Sequence, residues 1–249
     1  MSEIPDYLRP FVMSPSELGP ERAGQVDMYT PGGHGPFPAV LIVHGGPIPA
    51  DLRPTPRDWP VYRGYGALLA SRGVIAATVD HRLHLVPGPD GVLFDYATAA
   101  ADVAAAVEAV RADPHVDGDR VVLWFFSGGG LLSTDWLRTR LTWLRGLALT
   151  YPVLAPLPGW RVDSRFQPAV AIRERGTIMP PIVLTRVGLE RAEVADTVAQ
   201  FLTAAADSDV SVEIIDVPNG RHGFDMVDHT DESRLAVERT VARVLELLT

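Results

Sequence analysis

Short runs of consecutive apolar residues, separated by helix-like segments, constrain the fold of this chain more than any other feature. Most of these runs are apolar throughout, which is typical of strands covered on both faces. The runs that we interpret as strands cover residues 39–43, 74–79, 121–125, 144–151, 182–187 and 210–215. Their alternation with helical patterns predicts an α/β fold: a mostly parallel sheet of about seven or eight strands with helices on both faces.

The segments between these runs carry helix and turn signals. Asp95 can cap an Ala-rich helix, and Asp231 can cap the last one. We expect helices at about residues 59–71, 95–111, 128–138, 192–206 and 231–248, a short edge strand at 25–29 and a turn at 87–91.

The domain organisation follows from the length and uniformity of the chain. The 249 residues show neither an internal repeat nor a shift in composition, so we expect a single domain over residues 1–249. Residues 1–24 are rich in proline and charge and are expected to form an N-terminal arm. Residues 152–180 are irregular except near 169–175, and we expect them to form a small lid.

Composition excludes several classes of function. The net charge of −9 argues against a general affinity for nucleic acid or for acidic membrane surfaces. The chain has no cysteine, which rules out disulfides, Cys-based zinc sites and a cysteine nucleophile. The N-terminus does not resemble a signal peptide, and no apolar run approaches the roughly 20 residues of a membrane helix. A cytoplasmic location is therefore expected.

The stretch around Ser127 is typical of a sharp turn between a buried strand and a helix. An apolar run leads into the serine, and three glycines follow it. Glycine accepts positive φ and allows another backbone to pass closely, so the serine hydroxyl is expected at the apex of the turn. This is the description of a nucleophile elbow, whose usual pattern is G-x-S-x-G.

Phe125 occupies the position of the first glycine in that pattern. Its side chain must find room where a small residue usually lies. We therefore expect the neighbouring strand or helix to be carved back at this point, so that Ser127 can still meet its base.

Polar residues with complementary chemistry follow the predicted strands. His44-Gly45-Gly46 follows the first buried strand, Ser127 the third, Glu190 the fifth and His222 the sixth. Ligands of parallel sheets bind beyond the carboxyl ends of the strands, so these residues are expected to meet.

Their residue types suit nucleophilic catalysis. A serine hydroxyl needs a base to attack at neutral pH, and histidine can take that proton and return it to the leaving group. A carboxylate orients the imidazole and stabilises its charged form. The hypothesis is that Ser127 is the nucleophile, His222 the base and Glu190 the orienting acid.

The oxyanion formed in such a reaction needs backbone N–H donors. One is expected from Gly128, the residue after the nucleophile. The second is expected from Gly46 or Gly45, because Pro47 has no N–H.

Five segments in order, at residues 44–47, 79–83, 126–129, 187–190 and 220–225, resemble the successive signatures of α/β-hydrolases. The similarity is strongest to the dienelactone-hydrolase-like and small serine-esterase branch, and it covers roughly residues 37–249. The resemblance implies hydrolysis of a small-molecule carboxylic ester or lactone through an acyl-enzyme, without metal or cofactor. The chain departs from the family at Phe125, at Glu190, where Asp is commoner, and at Ser127, where dienelactone hydrolase itself uses Cys.

Several assignments have alternatives. Glu193 and Asp196 could replace Glu190 as the acid, and Asp216 is a remote candidate. Further residues that could line a substrate pocket or face the site are His44, His81, Arg82, His84, Trp160 and Arg161. For Arg82, a structural ion pair is favoured over a substrate clamp.

Two other kinds of function fit the same residues. A thioesterase, a peptidase or an acyl-transferase would use the same triad. A ligand-binding protein that kept the fold and lost the chemistry is the alternative from a different class.

Overall fold

A computed structural model describes residues 4–88, 91–175 and 179–249. The strands in these residues are β1 (Glu21–Ala23), β2 (Val26–Tyr29), β3 (Phe37–Val43), β4 (Ile75–Val79), β5 (Leu85–Gly88), β6 (Gly91–Phe94), β7 (Val116–Phe126), β8 (Leu144–Thr150), β9 (Ile182–Leu189) and β10 (Val212–Arg221). The α-helices are α1 (Pro60–Ser71), α2 (Tyr96–Ala112), α3 (Thr134–Arg138), α4 (Pro168–Arg175), α5 (Ala192–Asp207), α6 (Phe224–Val227) and α7 (Asp231–Leu247). Short 3₁₀ helices cover Asp6–Leu8, Pro56–Asp58 and Ser127–Ser133.

Eight of these strands form one sheet in the order β1-β2-β4-β3-β7-β8-β9-β10. Strand β2 runs antiparallel to both of its neighbours, and the other neighbouring strands pair in parallel. The predicted mostly parallel sheet is confirmed. The carboxyl ends of β3, β7, β9 and β10 all meet at one edge, which is where the sequence places its polar residues.

Helices cover both faces of the sheet, as predicted. Alternate residues of β7 enter two separate cores: Leu123 and Phe125 lie in one, Trp124 and Phe126 in the other. Helices α2, α3, α4 and α5 contribute to the first core, and α1 and α7 contribute to the second. Because both faces are buried from Val121 to Phe126, this part of β7 must be apolar throughout, which explains the unbroken run in the sequence.

The N-terminal segment packs onto the second core. Phe11 and Val12 are buried, and the ring of Phe11 lies 4.6 Å from the ring of Tyr65 on α1. The backbone N–H of Val12 donates to the carbonyl oxygen of Asp225, which fastens this segment beside α6.

Three local expectations are wrong. The strand at residues 25–29 is not at the edge, because β1 pairs outside it. The helix after Ser127 is a 3₁₀ helix up to Ser133 and becomes α-helical only at Thr134, since three consecutive glycines disfavour the α-helix. The cap of α7 is Thr230, whose side chain accepts from Ser233 N–H, and not Asp231 as expected.

The predicted cap of α2 is confirmed. Asp95 caps this helix and accepts from the Thr98 N–H at 2.9 Å.

A small hairpin was not foreseen. Strands β5 and β6 pair antiparallel where the sequence indicated only a turn. Pro89 and Asp90 of that predicted turn lie outside the described residues, as do residues 1–3 of the predicted arm and 176–178 of the predicted lid. In the described part of the chain, no helix has the length and apolar character needed to cross a membrane.

Candidate active site

Ser127 lies at the carboxyl end of β7, where the chain turns sharply into the following 3₁₀ helix. Its φ is +50°, a left-handed conformation that costs a non-glycine residue on the order of 1–3 kcal/mol. Two kinds of contact hold the turn in this conformation. The strand before Ser127 pairs with β3 and β8, and the Ser127 carbonyl accepts a hydrogen bond from Val153 N–H. Strain of this kind is typical of functional sites, and it matches the predicted elbow.

The glycine after Ser127 is needed for close backbone approach. A Cβ at Gly128 would overlap the carbonyl oxygen of Gly46. The loop after β3 therefore rests directly on the elbow, and this contact brings Gly45 and Gly46 to Ser127 as predicted.

Phe125 does not displace Ser127 from its base. The Phe125 side chain is fully buried in the first core, together with Ala99 and Ala100 of α2, a helix that packs on β7. Whether a neighbouring element is carved back at Phe125 stays a prediction.

His222 lies in the turn between β10 and α6. Its Nε2 is 2.6 Å from Ser127 Oγ, and 28% of its side chain is exposed. The next residue, Gly223, has φ of +74°, which lets the chain turn at once into α6. Arg221 anchors the other side of the turn through hydrogen bonds to the carboxylate of Asp228.

Glu190 follows β9 and lies beside the imidazole. Its Oε2 is 2.5 Å from His222 Nδ1, and its side chain is only 5% exposed. The other carboxylate oxygen accepts from the Arg191 N–H at 2.8 Å. The alternatives lie elsewhere: Glu193 and Asp196 are exposed on α5, and exposed Asp216 pairs with Arg186.

The loop after β3 is fixed by α1. The N–H of Gly45 donates to the Tyr62 hydroxyl at 3.1 Å. Of the two candidate oxyanion donors, Gly45 therefore already binds Tyr62 through its N–H, whereas Gly46 makes no such bond to Tyr62. Sequence reasoning missed Tyr62, because it occupies an ordinary apolar position of a helical pattern.

Two buried histidines stack behind this loop. The rings of His44 and His81 have centroids 3.6 Å apart with an interplanar angle of 11°. His44 donates from Nδ1 to the Gly45 carbonyl at 2.5 Å, and His81 donates from Nε2 to the His44 carbonyl at 3.0 Å. The remaining ring nitrogen of each has no partner among the described residues.

Burial keeps both of these rings neutral. It lowers the pKa of His44 to about 4 and the pKa of His81 well below its usual range, and repulsion between the protonated forms of the two rings lowers the pKa of His81 further. His44 and His81 therefore support the loop and do not face open solvent, and His84 lies beside them, bridged to Ile48.

The other predicted pocket residues have partners within the protein. Arg82 makes a two-pronged ion pair with Asp102 of α2 at 2.9 and 2.7 Å, as favoured from the sequence. The ring of Trp160 stacks on Phe94 of the β5–β6 hairpin at 4.6 Å, and the carbonyl of Arg161 accepts from the Phe94 N–H. The hairpin and the segment after β8 thus contact each other.

A buried polar cluster beneath His222 had no clear signal in the sequence. Asp225 is fully buried and accepts hydrogen bonds from the hydroxyls of Tyr65 and Tyr151. The Tyr151 ring centroid lies 5.0 Å from that of His222. The only hint was that Asp225 closes the stretch at residues 220–225.

The strand order, the elbow after β7 and the histidine turn after β10 define the α/β-hydrolase fold. Solved structures with this fold that resemble the chain include esterases. The esterase Est2 of the planctomycete Thermogutta terrifontis is 19% identical over 90% of this chain and 86% of its own, with a TM-score of 0.65. Esterase Est22 is 18% identical over 98% of this chain and 82% of its own, with a TM-score of 0.70.

A further structure shows Thermogutta terrifontis esterase 2 phosphoramylated by tabun, at 18% identity and a TM-score of 0.67, over 99% of this chain and 95% of that one. No protein-family model and no curated protein matches the sequence. At this level of identity the likenesses establish the fold, and the dienelactone-hydrolase-like branch stays a prediction. Among the described residues, no group of three or more His, Asp or Glu side chains could hold a metal ion.

Proposed function

We propose that the protein is a serine hydrolase that cleaves a small carboxylic ester or lactone through an acyl-enzyme. The observation that carries the proposal is the continuous hydrogen-bonded chain from Ser127 Oγ through the imidazole of His222 to the carboxylate of Glu190. The esterases with similar folds support the choice of an ester as substrate.

In the first half of the reaction, Ser127 Oγ attacks the ester carbonyl carbon while its proton moves to His222 Nε2. The new O–C bond turns the carbonyl oxygen into an oxyanion. When the tetrahedral intermediate collapses, the bond to the leaving oxygen breaks, and His222 returns the proton to that oxygen. An alcohol leaves, and the acyl group stays on Ser127.

In the second half, His222 takes a proton from water, and the resulting hydroxide attacks the acyl carbon. Collapse of this intermediate breaks the bond to Ser127 Oγ, which recovers its proton from His222. The product is the carboxylic acid. With a lactone, the leaving oxygen stays attached to the acyl chain, and the product is a hydroxy acid.

The proposed oxyanion donors are the N–H groups of Gly128 and Gly46. Gly128 begins the turn that follows the nucleophile, and the Gly46 backbone touches it. Each such donor typically contributes about 10²–10³ to turnover. The Tyr62–Gly45 hydrogen bond supports Gly46 as the donor over Gly45.

The proposal is tested by hydrolysis of short p-nitrophenyl esters. We expect turnover in the wild-type protein and its loss by at least about 10³-fold in Ser127→Ala, because the acyl-enzyme can no longer form. Ser133→Ala, which removes a buried hydroxyl in the same 3₁₀ helix, is the matched control and keeps the activity. Ester hydrolysis that survives in Ser127→Ala would refute the assignment.

A substrate panel separates the related activities. Matched ester, lactone, acyl-thioester and peptide substrates are compared by kcat/KM. The proposal expects the ester or the lactone to be favoured, whereas a thioester or peptide preference would indicate a thioesterase or peptidase. A folded protein that turns over none of them would favour the silent ligand-binding alternative.

A further inference from the structure

The side chains beneath His222 contain a buried charge that the proposed reaction does not use. Asp225 has no exposed surface, and its two carboxylate oxygens accept from Tyr151 at 2.8 and 3.0 Å and from Tyr65 at 3.0 Å. No arginine among the described residues pairs with it in an ion pair. A buried carboxylate without a cation is costly, so its retention calls for a reason.

The imidazole of His222, three positions earlier in the chain, becomes positive in the proposed reaction and interacts with Asp225. Tyr151 connects the two: its hydroxyl bonds Asp225, and its ring lies 5.0 Å from the His222 ring at an angle of 56°. Burial raises the pKa of Asp225 to about 6, although the hydrogen bonds from Tyr151 and Tyr65, and to a smaller extent the interaction with His222, lower it. Asp225 is therefore charged at neutral pH and lies within electrostatic reach of His222.

Contacts with the surrounding residues hold the backbone of Tyr151 in an unfavourable left-handed conformation. Its φ is +36°, which an aromatic residue rarely adopts. Its N–H donates to the Thr185 carbonyl at 2.9 Å, and its ring packs at right angles on Phe224. Thr185 of β9 thus fixes the Tyr151 backbone, Phe224 of α6 fixes its ring, and Asp225 fixes its hydroxyl. Together these contacts keep the Tyr151 ring in place beside His222.

We propose that Asp225, held by the hydroxyls of Tyr65 and Tyr151, is a positioning residue that fixes the ring of His222 and stabilises its protonated form during turnover. The inference rests on the proposed function of His222 as the catalytic base. In the proposed reaction His222 takes the serine proton and becomes positive, so the attraction from Asp225 is stronger in the transition state than before the proton transfer.

The other titratable and charged groups around this cluster come from several elements. They are Tyr62 and Tyr65 on α1, Tyr151 after β8, Glu190 after β9, and the Arg221–Asp228 pair of the histidine turn. Burial and the charge of Asp225 raise the pKa of Tyr65 and Tyr151 well above the usual range, so both hydroxyls remain donors. Arg221 and Asp228 neutralise each other at the surface.

The test measures the titration of the His222 ring by NMR, together with kcat and KM from pH 5 to 9. In Asp225→Asn we expect the midpoint of the His222 titration to fall by about one pH unit, because a nearby negative charge is lost. The acid limb of the activity profile moves the same way. We expect kcat to fall roughly tenfold with KM nearly unchanged, since the loss is confined to the transition state.

Tyr65→Phe and Tyr151→Phe keep the rings and remove one donor to Asp225 each. We expect them to lower the His222 titration midpoint and kcat as well, but by less than Asp225→Asn does. Tyr29→Phe is the matched control: Tyr29 is buried in the same core, but its hydroxyl has no partner among the described residues. If Asp225→Asn does not fold, Tyr65→Phe decides.

The inference is overturned if these variants lose thermal stability while the His222 titration and the kcat and KM values stay as in the wild type. Because the NMR titration needs no substrate, it also separates the two proposals. A shifted midpoint in a protein that hydrolyses no ester would keep the positioning role and refute the proposed function.

Discussion

At the residue scale, the carboxylate of Glu190 decides which nitrogen of His222 faces the serine. Its bond to Nδ1 leaves Nε2 directed at Ser127 Oγ, 2.6 Å away. A carboxylate in this place orients the ring and stabilises its positive charge.

Glu190→Gln is therefore expected to lower kcat by roughly two to four orders of magnitude, because the amide can donate to Nδ1 and favour the wrong tautomer. Steady-state hydrolysis of a p-nitrophenyl ester gives the measurement. Glu193→Gln, three positions later on α5 and exposed, is the control and should match the wild type. Equal losses in the two variants would contradict the assignment of Glu190.

The residues that the sequence predicted at the site are those with a local signal. Ser127 and His222 each lie among glycines at the end of an apolar run, so their neighbours reveal the turn. Tyr62, Tyr151 and Asp225 lack such a signal. Tyr65 and Asp225 are separated by 160 positions, and only the folded sheet brings them together.

At the element scale, the site depends on two loops in backbone contact. The loop after β3 lies on the turn after β7 so closely that Gly128 has no room for a side chain. Both proposed oxyanion donors come from this contact, which links the geometry of the elbow to the stabilisation of charge.

Gly128→Ala should separate these loops. We expect a loss of about 10²-fold or more in kcat as a donor moves away, and a destabilisation of about 1–3 kcal/mol from overpacking. Activity assays and urea unfolding measure the two effects. At Gly19, by contrast, an added Cβ meets no atom within 4 Å, so Gly19→Ala should change neither quantity. Full activity in Gly128→Ala would show that the loop contact is dispensable.

Elements with long apolar periodicity were predictable, and short or glycine-rich ones were not. The strands β3, β4, β7, β8 and β9 follow from mostly apolar runs, because burial on both faces leaves little polar and apolar alternation. The hairpin β5–β6 contains proline and glycine. Because these residues usually indicate a turn, the sequence predicted a turn here and no strands. The position of β1 outside β2 comes from a tight hairpin that pairs Ala23 with Val26, and Gly24, with φ of +57°, was its only local signal.

At the scale of the whole molecule, buried titratable groups set the response of stability to pH. The lowered pKa of His44, about 4 against 6.5, gives stability above pH 6.5 that is lost as the pH falls towards 4. The raised pKa of Asp225, about 6 against 3.8, acts in the opposite sense: its contribution is present below pH 3.8 and lost as the pH rises through 6. Asp225 therefore offsets part of the stability that His44 loses on acidification.

His81 adds to the loss of stability on acidification, because its pKa is also lowered by burial. We expect the free energy of unfolding to decrease as the pH is lowered from 6.5 to 4, and His81→Asn to flatten that decrease. Urea unfolding at a series of pH values measures it. Exposed His115, replaced by Asn, is the control and leaves the slope unchanged. A wild-type stability that rises on acidification would contradict this account.

The central claim is that the hydroxyl of Ser127 is activated by His222, and labelling with a serine-reactive fluorophosphonate tests it most directly. Intact mass and peptide mapping should find one phosphonyl group per protein, attached to Ser127, and the labelling rate should fall at least about 100-fold in folded His222→Ala, which removes the base. A folded wild-type protein in which Ser127 remains unlabelled, or in which another serine carries the label, would contradict the claim.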